Sequence, residues 1–119
     1  MHELSIAQSV VDIVLQHVSA DEAHRVKAVF LKVGDLAGVV PDSLEFGFTA
    51  ITAGTALENA KLRIERIPFT IRCLRCGATS TQEIGISICA QCGSLETTTI
   101  GGTELHITEI EVNDPEETS

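Results

Sequence analysis

The segments Cys73-Leu-Arg-Cys76-Gly77 and Cys89-Ala-Gln-Cys92-Gly93 contain all the cysteines of this 119-residue chain. Two residues between thiolates allow both sulfurs to reach one tetrahedral ion, and a structural Zn²⁺ takes four such ligands. The glycine after each pair allows a turn with positive φ, which can direct main-chain N–H groups toward the sulfurs. The pattern therefore predicts a structural Zn(II) site with four ligands: Cys73, Cys76, Cys89 and Cys92.

Two disulfides or a redox C-x-x-C motif are the competing interpretations of these cysteines. Disulfides need an oxidising compartment. The amino terminus, Met1-His2-Glu3-Leu4-Ser5, has an acid where a signal peptide has basic residues, so a cytoplasmic protein is expected. A redox motif would be expected once, at the start of a helix, whereas here it occurs twice and glycine follows each copy. The repeat favours metal over redox chemistry, and metal analysis would separate the two.

The charge distribution, the hydrophobicity and the missing motifs exclude several classes of protein. The formal net charge is −9, and every lysine and arginine lies between Arg25 and Arg75. A zinc module that bound nucleic acid would need cations against the phosphates, so no nucleic-acid partner is expected. No apolar run approaches the roughly 18 residues of a membrane span, so no membrane partner is expected either. The chain contains no Ser/His/Asp arrangement, no phosphate-binding loop and no H-E-x-x-H motif, which indicates that it is not an enzyme.

Hydrophobic spacing predicts two helices. The first is expected to begin at Ser5, which opens a capping box with Gln8, and to reach about Val18, leaving residues 1–3 free. The second is expected to begin at Pro41 and to stop before Gly54, with close packing at Gly47. The apolar stripes predicted to face the core are Leu4, Ala7, Val11, Val14 and Val18 in the first helix, and Leu44, Phe48 and Ile51 in the second.

Three strands complete the predicted globular part, at residues 25–33, 61–67 and 104–112, the last with a bulge near Thr108 or Glu109. Between them, residues 73–100 are too poor in apolar side chains to order themselves without metal. The last strand must return to the sheet, because an isolated strand leaves its backbone unsatisfied. The expected fold class is α+β, with two helices on a three-stranded sheet interrupted by an inserted zinc-knuckle module of four cysteines. The expected divisions are 1–72 and 101–113 for the first domain, 73–100 for the zinc-binding module, and 114–119 for a disordered acidic tail.

The amino terminus is a candidate for a second metal site. The Met1 α-amine, the His2 amide and the His2 imidazole can close two fused chelate rings, a nitrogen set that suits Ni²⁺ or Cu²⁺. The amide or carboxylate of Glu3 could complete the set. From these residues alone a solvated terminus is the default interpretation. His17, His24 and His106 are expected to be surface residues.

The whole chain up to about Val112 resembles the HypA/HybF family of hydrogenase and urease nickel-incorporation proteins. The matching elements are Met1-His2-Glu3-Leu4-Ser5, Gly34, the Phe46/Phe48 helix, the two cysteine knuckles, and Gly102-Thr-Glu104-Leu105 leading to Ile110-Glu111-Val112. Ala90 differs from the proline of many relatives.

The resemblance implies a nickel metallochaperone. His2 is then the nickel ligand, with the Met1 amine and Glu3 as expected contributors, and zinc is structural. The implied partners are a GTPase nickel-insertion accessory protein and the large subunit of [NiFe]-hydrogenase, together with urease maturation proteins for some relatives. The remaining alternative, a zinc-ribbon adaptor, would bind zinc without significant nickel affinity.

Overall fold

A computed structural model describes residues 2–113, so the predicted roles of the Met1 amine and of the tail 114–119 lie outside the described residues. The described residues form two α-helices and six strands. Short 3₁₀ turns at Ala23–Arg25 and Asp35–Ala37 flank the first strand. The elements are α1 (His2–His17), β1 (Val26–Gly34), α2 (Pro41–Thr52), β2 (Lys61–Ile67), β3 (Thr70–Cys73), β4 (Thr79–Thr81), β5 (Thr97–Gly101) and β6 (Leu105–Val112).

The chain divides into two compact units. The first contains the residues up to Leu31, Val39–Glu65 and the chain from His106, and the second contains Lys32–Gly38 and Arg66–Leu105. The domain boundaries given above from the sequence stay predictions. Within the described residues, no helix is long and apolar enough to cross a membrane.

A three-stranded sheet with the order β2-β1-β6 confirms that the last strand returns to the first one after the cysteine segment. The Asn113 N–H extends this pairing by donating to the Arg25 carbonyl at 2.9 Å. Helix α1 contacts α2, and the first unit has an aliphatic core with one aromatic ring. The α+β fold class is confirmed. The most deeply buried side chains of this unit include Val14, Val26, Val29, Leu44 and Phe48.

Helix α1 begins at His2, so the prediction of a start at Ser5 with free residues before it is wrong. Glu3 lies in the first turn, where a carboxylate suits the positive end of the helix dipole, and its Oε2 accepts a bond from the Val40 N–H at 3.3 Å. This long-range contact extends the helix beyond the local capping signal. The buried face is formed by Ala7, Val10 and Val14, whereas Leu4 is 47% exposed.

Helix α2 follows the sequence prediction closely. It begins at Pro41 and ends at Thr52, just before Gly54 adopts a φ of 78°. Gly47 is buried, and a Cβ built there would lie 3.6 Å from Leu4 Cδ1, in ordinary van der Waals contact. Gly47 is therefore packed against α1, but the space would accept a Cβ, so the predicted close packing does not require glycine there.

The second unit has its own antiparallel sheet, with the order β4-β3-β5, which the sequence analysis did not predict. Ile71 of β3 lies opposite Ser80 on one side and Thr99 on the other, and is 1% exposed. In β6, Ile107 and Ile110 are half-buried although three positions apart, a spacing that a regular strand would place on opposite faces. The predicted bulge near Thr108 stays a prediction.

Candidate metal centre

The first cysteine knuckle is a tight turn that directs two amides at one sulfur. The N–H groups of Arg75 and Cys76 both donate to Cys73 Sγ at 3.4 Å. The turn closes through Gly77, whose N–H donates to the Cys73 carbonyl at 3.0 Å and whose φ is 78°. A residue with a Cβ is strained at this φ, so the glycine fixes the shape of the turn.

The second knuckle repeats the same bonding pattern. Cys89 Sγ accepts from the N–H groups of Gln91 and Cys92 at 3.4 Å. Gly93, with a φ of 73°, donates to the Cys89 carbonyl at 3.0 Å. The positive φ that the sequence predicted after each C-x-x-C pair is confirmed at both glycines.

The two knuckles face each other and bring four sulfurs together. The four Sγ atoms all lie within 4.8 Å of one another. Across the knuckles, Cys73 Sγ lies 3.6 Å from Cys92 Sγ, and Cys76 Sγ lies 3.6 Å from Cys89 Sγ. A tetrahedral ion with Zn–S bonds of about 2.3 Å separates its sulfurs by about 3.8 Å. The cluster therefore fits a structural zinc, and all four cysteines are free thiols rather than disulfides.

The surroundings of the sulfurs give the cysteines different pKa values. The pKa of Cys73 is lowered to about 6, first by the Cys76 N–H and then by the Arg75 N–H, both of which stabilise the thiolate. The Cys92 and Gln91 N–H groups lower the pKa of Cys89 in the same way. At Cys76 the Ala78 N–H acts to lower the pKa, but the Cys89 thiol and desolvation outweigh it and raise the value to about 11. The backbone thus favours the thiolate form of Cys73 and Cys89, and a bound metal would displace the remaining protons.

The supporting bonds of the knuckles come from the second unit itself. The Cys73 N–H donates to the Ala78 carbonyl at 2.8 Å, and the Cys89 N–H donates to that of Ser94 at 2.9 Å. Cys73 and Cys89 are buried, while Cys76 and Cys92 are exposed. These carbonyl acceptors could not be predicted from the sequence, since every residue has a backbone carbonyl.

The amino-terminal candidates His2 and Glu3 lie side by side in the first turn of α1. The His2 Nε2 atom is 3.5 Å from Glu3 Oε2, and the side chains are 60% and 14% exposed, respectively. The Val40 N–H, followed by the backbone of Glu3 itself, lowers the pKa of the Glu3 carboxyl and keeps it ionised. The Val40 contact spans a large sequence separation, so sequence reasoning could not have found it. His17, His24 and His106 are exposed, as expected.

A small α+β fold with four convergent thiols defines a metal-binding protein whose second unit contains a cluster that fits a structural zinc. The sequence model of the HypA family, described as "Hydrogenase/urease nickel incorporation, metallochaperone", matches residues 1–112. The chain belongs to this family, which is one of metallochaperones rather than enzymes and serves hydrogenase maturation.

Relatives and solved structures agree with this assignment. The hydrogenase maturation factor HypA of Geotalea uraniireducens is 44% identical over 112 residues, covering 94% of this chain and 99% of its own. The factor of Azotobacter chroococcum is 40% identical with the same coverage. The solution structure of the Ni metallochaperone HypA from Helicobacter pylori superposes with a TM-score of 0.59 at 18% identity, covering 92% of this chain and 96% of its own. A second HypA solution structure gives 0.66 at 19% identity, covering 95% and 97%. These two structures share the fold.

Proposed function

We propose that this chain binds Ni(II) as cargo at its amino terminus and delivers it to the large subunit of [NiFe]-hydrogenase in the cytoplasm. The observation that carries the proposal is the position of His2. Its imidazole is largely exposed at the very start of α1, one residue from the α-amine of Met1 and beside the Glu3 carboxylate. A cargo site must load and release its metal, and an exposed chain end suits that exchange.

The chemistry of the proposed site uses nitrogen ligands close together in the chain. The α-amine, the His2 amide and the His2 imidazole form two fused chelate rings, which Ni²⁺ accepts in a square-planar set. Glu3 contributes either through its amide or through its carboxylate.

Zinc has a separate role in the proposal. Cys73, Cys76, Cys89 and Cys92 are the proposed ligands, and four thiolates leave no open position for cargo. The zinc therefore holds the second unit together, and nickel transfer does not pass through it.

The proposed partners follow from the family and from what the sequence lacks. The chain has no phosphate-binding loop, so nucleotide hydrolysis linked to nickel insertion would have to come from a separate GTPase accessory protein. The recipient is the hydrogenase large subunit, and urease maturation proteins are alternative partners in view of the family description.

Nickel titration calorimetry on untagged protein tests the proposal. Replacing His2 by alanine should weaken nickel binding more than about 100-fold, because even the loss of an outer-shell partner costs 10–100-fold. His17→Ala, which removes another exposed histidine, is the matched control and should bind as the parent does. An extra residue before Met1 should also weaken binding, since it removes the chelating amine. Equal nickel affinity of the parent and of His2→Ala would contradict the proposed nickel site. The zinc-ribbon adaptor would then be the better interpretation.

A further inference from the structure

The outer surface formed by α1 and α2 contains an exposed aromatic ring that the core does not use. Phe46 is 76% exposed although it lies in the middle of α2, two residues from Phe48, which is 1% exposed. A side chain of this size gains free energy only when its surface is removed from water. Leu4, which is 47% exposed, lines the same groove as Phe46, and a contiguous exposed apolar patch is typical of a contact surface.

Phe46 lines two hollows of the surface. One is a groove of about 530 Å³ that runs between the helices past the small residues Gly47 and Ala50. The other is a smaller hollow of about 340 Å³ that Phe46 also lines. The lining of the groove is completed by Glu3, Leu4, Asp42 and Ser43, and that of the smaller hollow by Asp42, Glu45 and Thr49. We call this surface the Phe46 groove.

The charged side chains that line the Phe46 groove are all acidic. Helices α1 and α2 contain Glu3, Asp12, Asp42 and Glu45 but neither lysine nor arginine. Three of these carboxylates line the two hollows. An apolar groove with an acidic border matches a ligand that is apolar at its centre and cationic at its edges.

We propose that the Phe46 groove docks a cationic amphipathic segment of a partner protein, with apolar side chains against Phe46 and Leu4 and lysine or arginine near Asp42 and Glu45. Recognition of an amphipathic helix by a groove between helices is a common mode of protein association. Nucleic acid and anionic membranes are repelled by this border. A second copy of the chain would place the same acids against each other in a symmetric contact. The proposal does not depend on His2, although Glu3, an expected contributor to the nickel site, also lines the groove.

Titration of the untagged, zinc-loaded protein with a synthetic amphipathic helix of leucine and lysine tests the proposal by NMR. We expect shift changes of amides in α1 and α2 near Phe46, and binding that weakens with salt because the border charges are exposed. Phe46→Ala should weaken the affinity about tenfold or more, as for an aromatic anchor at the centre of a contact. Phe46→Leu should recover part of it. Glu45→Gln should lower the affinity and the salt dependence together.

Matched controls distinguish binding at the groove from non-specific binding of the peptide. Leu95→Ala removes a side chain that is 75% exposed in the second unit, and should leave the affinity unchanged. Glu111→Gln removes an exposed acid from β6 and should also have no effect. Nickel affinity of Phe46→Ala should equal that of the parent, so failure of the groove and failure of the nickel site are distinguishable.

Three results would overturn the proposal. One is equal binding of the leucine–glutamate version of the peptide, and another is unchanged peptide affinity in Phe46→Ala. The third is concentration-dependent self-association that Phe46→Ala abolishes, because the groove would then be a contact between copies of this chain.

Discussion

Two phenylalanines of α2 show how position alone sets the role of a residue. Phe48 is 1% exposed in the core of the first unit, whereas Phe46 is 76% exposed. Phe48→Ala should lower the free energy of unfolding by about 3–5 kcal/mol, because it removes buried apolar surface and leaves a cavity. Phe46→Ala should stay within about 0.5 kcal/mol of the parent. Urea unfolding of both zinc-loaded variants measures this, and equal losses would contradict the assigned burial.

Gly34 and Gly102 make a close backbone approach that only glycine permits. A Cβ built on Gly34 would overlap the carbonyl group of Gly102, whose own φ is 112°. The two segments are joined where the Leu36 N–H donates to the Gly102 carbonyl at 2.7 Å. We therefore expect Gly34→Ala to destabilise the protein strongly, since the obstacle is backbone.

Gly47→Ala is the matched control for that substitution. Its new Cβ meets Leu4 at ordinary contact distance, and alanine has a helix propensity about 1 kcal/mol more favourable than glycine. Thermal unfolding should show a lower Tm for Gly34→Ala and an equal or higher Tm for Gly47→Ala. A similar decrease in Tm for both variants would contradict the different surroundings assigned to the two glycines.

Glu3 predicts a pH dependence at the start of α1 in nickel-free protein. The Val40 N–H bond lowers the carboxyl pKa below its ordinary value of 4.5. A carboxyl with a lower pKa in the folded state adds stability above the unfolded pKa, and this stability is lost as the pH falls through the folded pKa. Glu3→Gln should therefore be less stable than the parent at neutral pH, with the difference disappearing on acidification. Urea midpoints across this range measure it, with Glu111→Gln as an exposed control. A difference that grows on acidification would contradict the contact.

Among the elements, the sequence predicted β1, β2, β6 and α2 well. Strand β2 alternates regularly, β1 and β6 are rich in β-branched residues, and Gly34, Pro41 and Gly54 mark ends of β1 and α2. The start of α1 was missed because the Val40–Glu3 bond overrides the local cap at Ser5. Strands β3–β5 were missed for another reason. They are short and rich in threonine, and the turns of the cysteine knuckles bring them together.

The candidate site was predictable to different degrees. The thiol cluster follows from the C-x-x-C-G repeat, because both knuckles form the same local turn. The exposure of Phe46 could also have been predicted, because this residue lies off the apolar stripe of Leu44, Phe48 and Ile51. The groove beside it requires the packing of α1 against α2, which no local pattern specifies.

The elements of the second unit should depend on metal. Structural zinc contributes about 10–16 kcal/mol of apparent binding free energy in small zinc peptides, as much as the whole stability of an ordinary domain. Cys76→Ala or chelation should therefore abolish the dispersed amide resonances of β3, β4 and β5. Ser80→Ala, a change of one half-buried residue in β4, should retain them. A metal-free protein with an intact second sheet would show that the thiols alone hold the unit.

At the scale of the whole molecule, we propose that two metals bind different parts of the chain. The four thiols fit an ion that stays, because they fill its coordination sphere and two of them are buried. The exposed His2 at the start of α1 suits an ion that is passed on. The net charge of −9 adds a long-range attraction for cations and for cationic partners.

Metal analysis of untagged protein after exposure to both ions tests this division most directly. We expect one zinc and one nickel per chain in the parent, zinc alone in His2→Ala, and loss of zinc in Cys76→Ala. Retention of nickel at the parent level by His2→Ala, or nickel found only in place of zinc at the cysteines, would contradict the account.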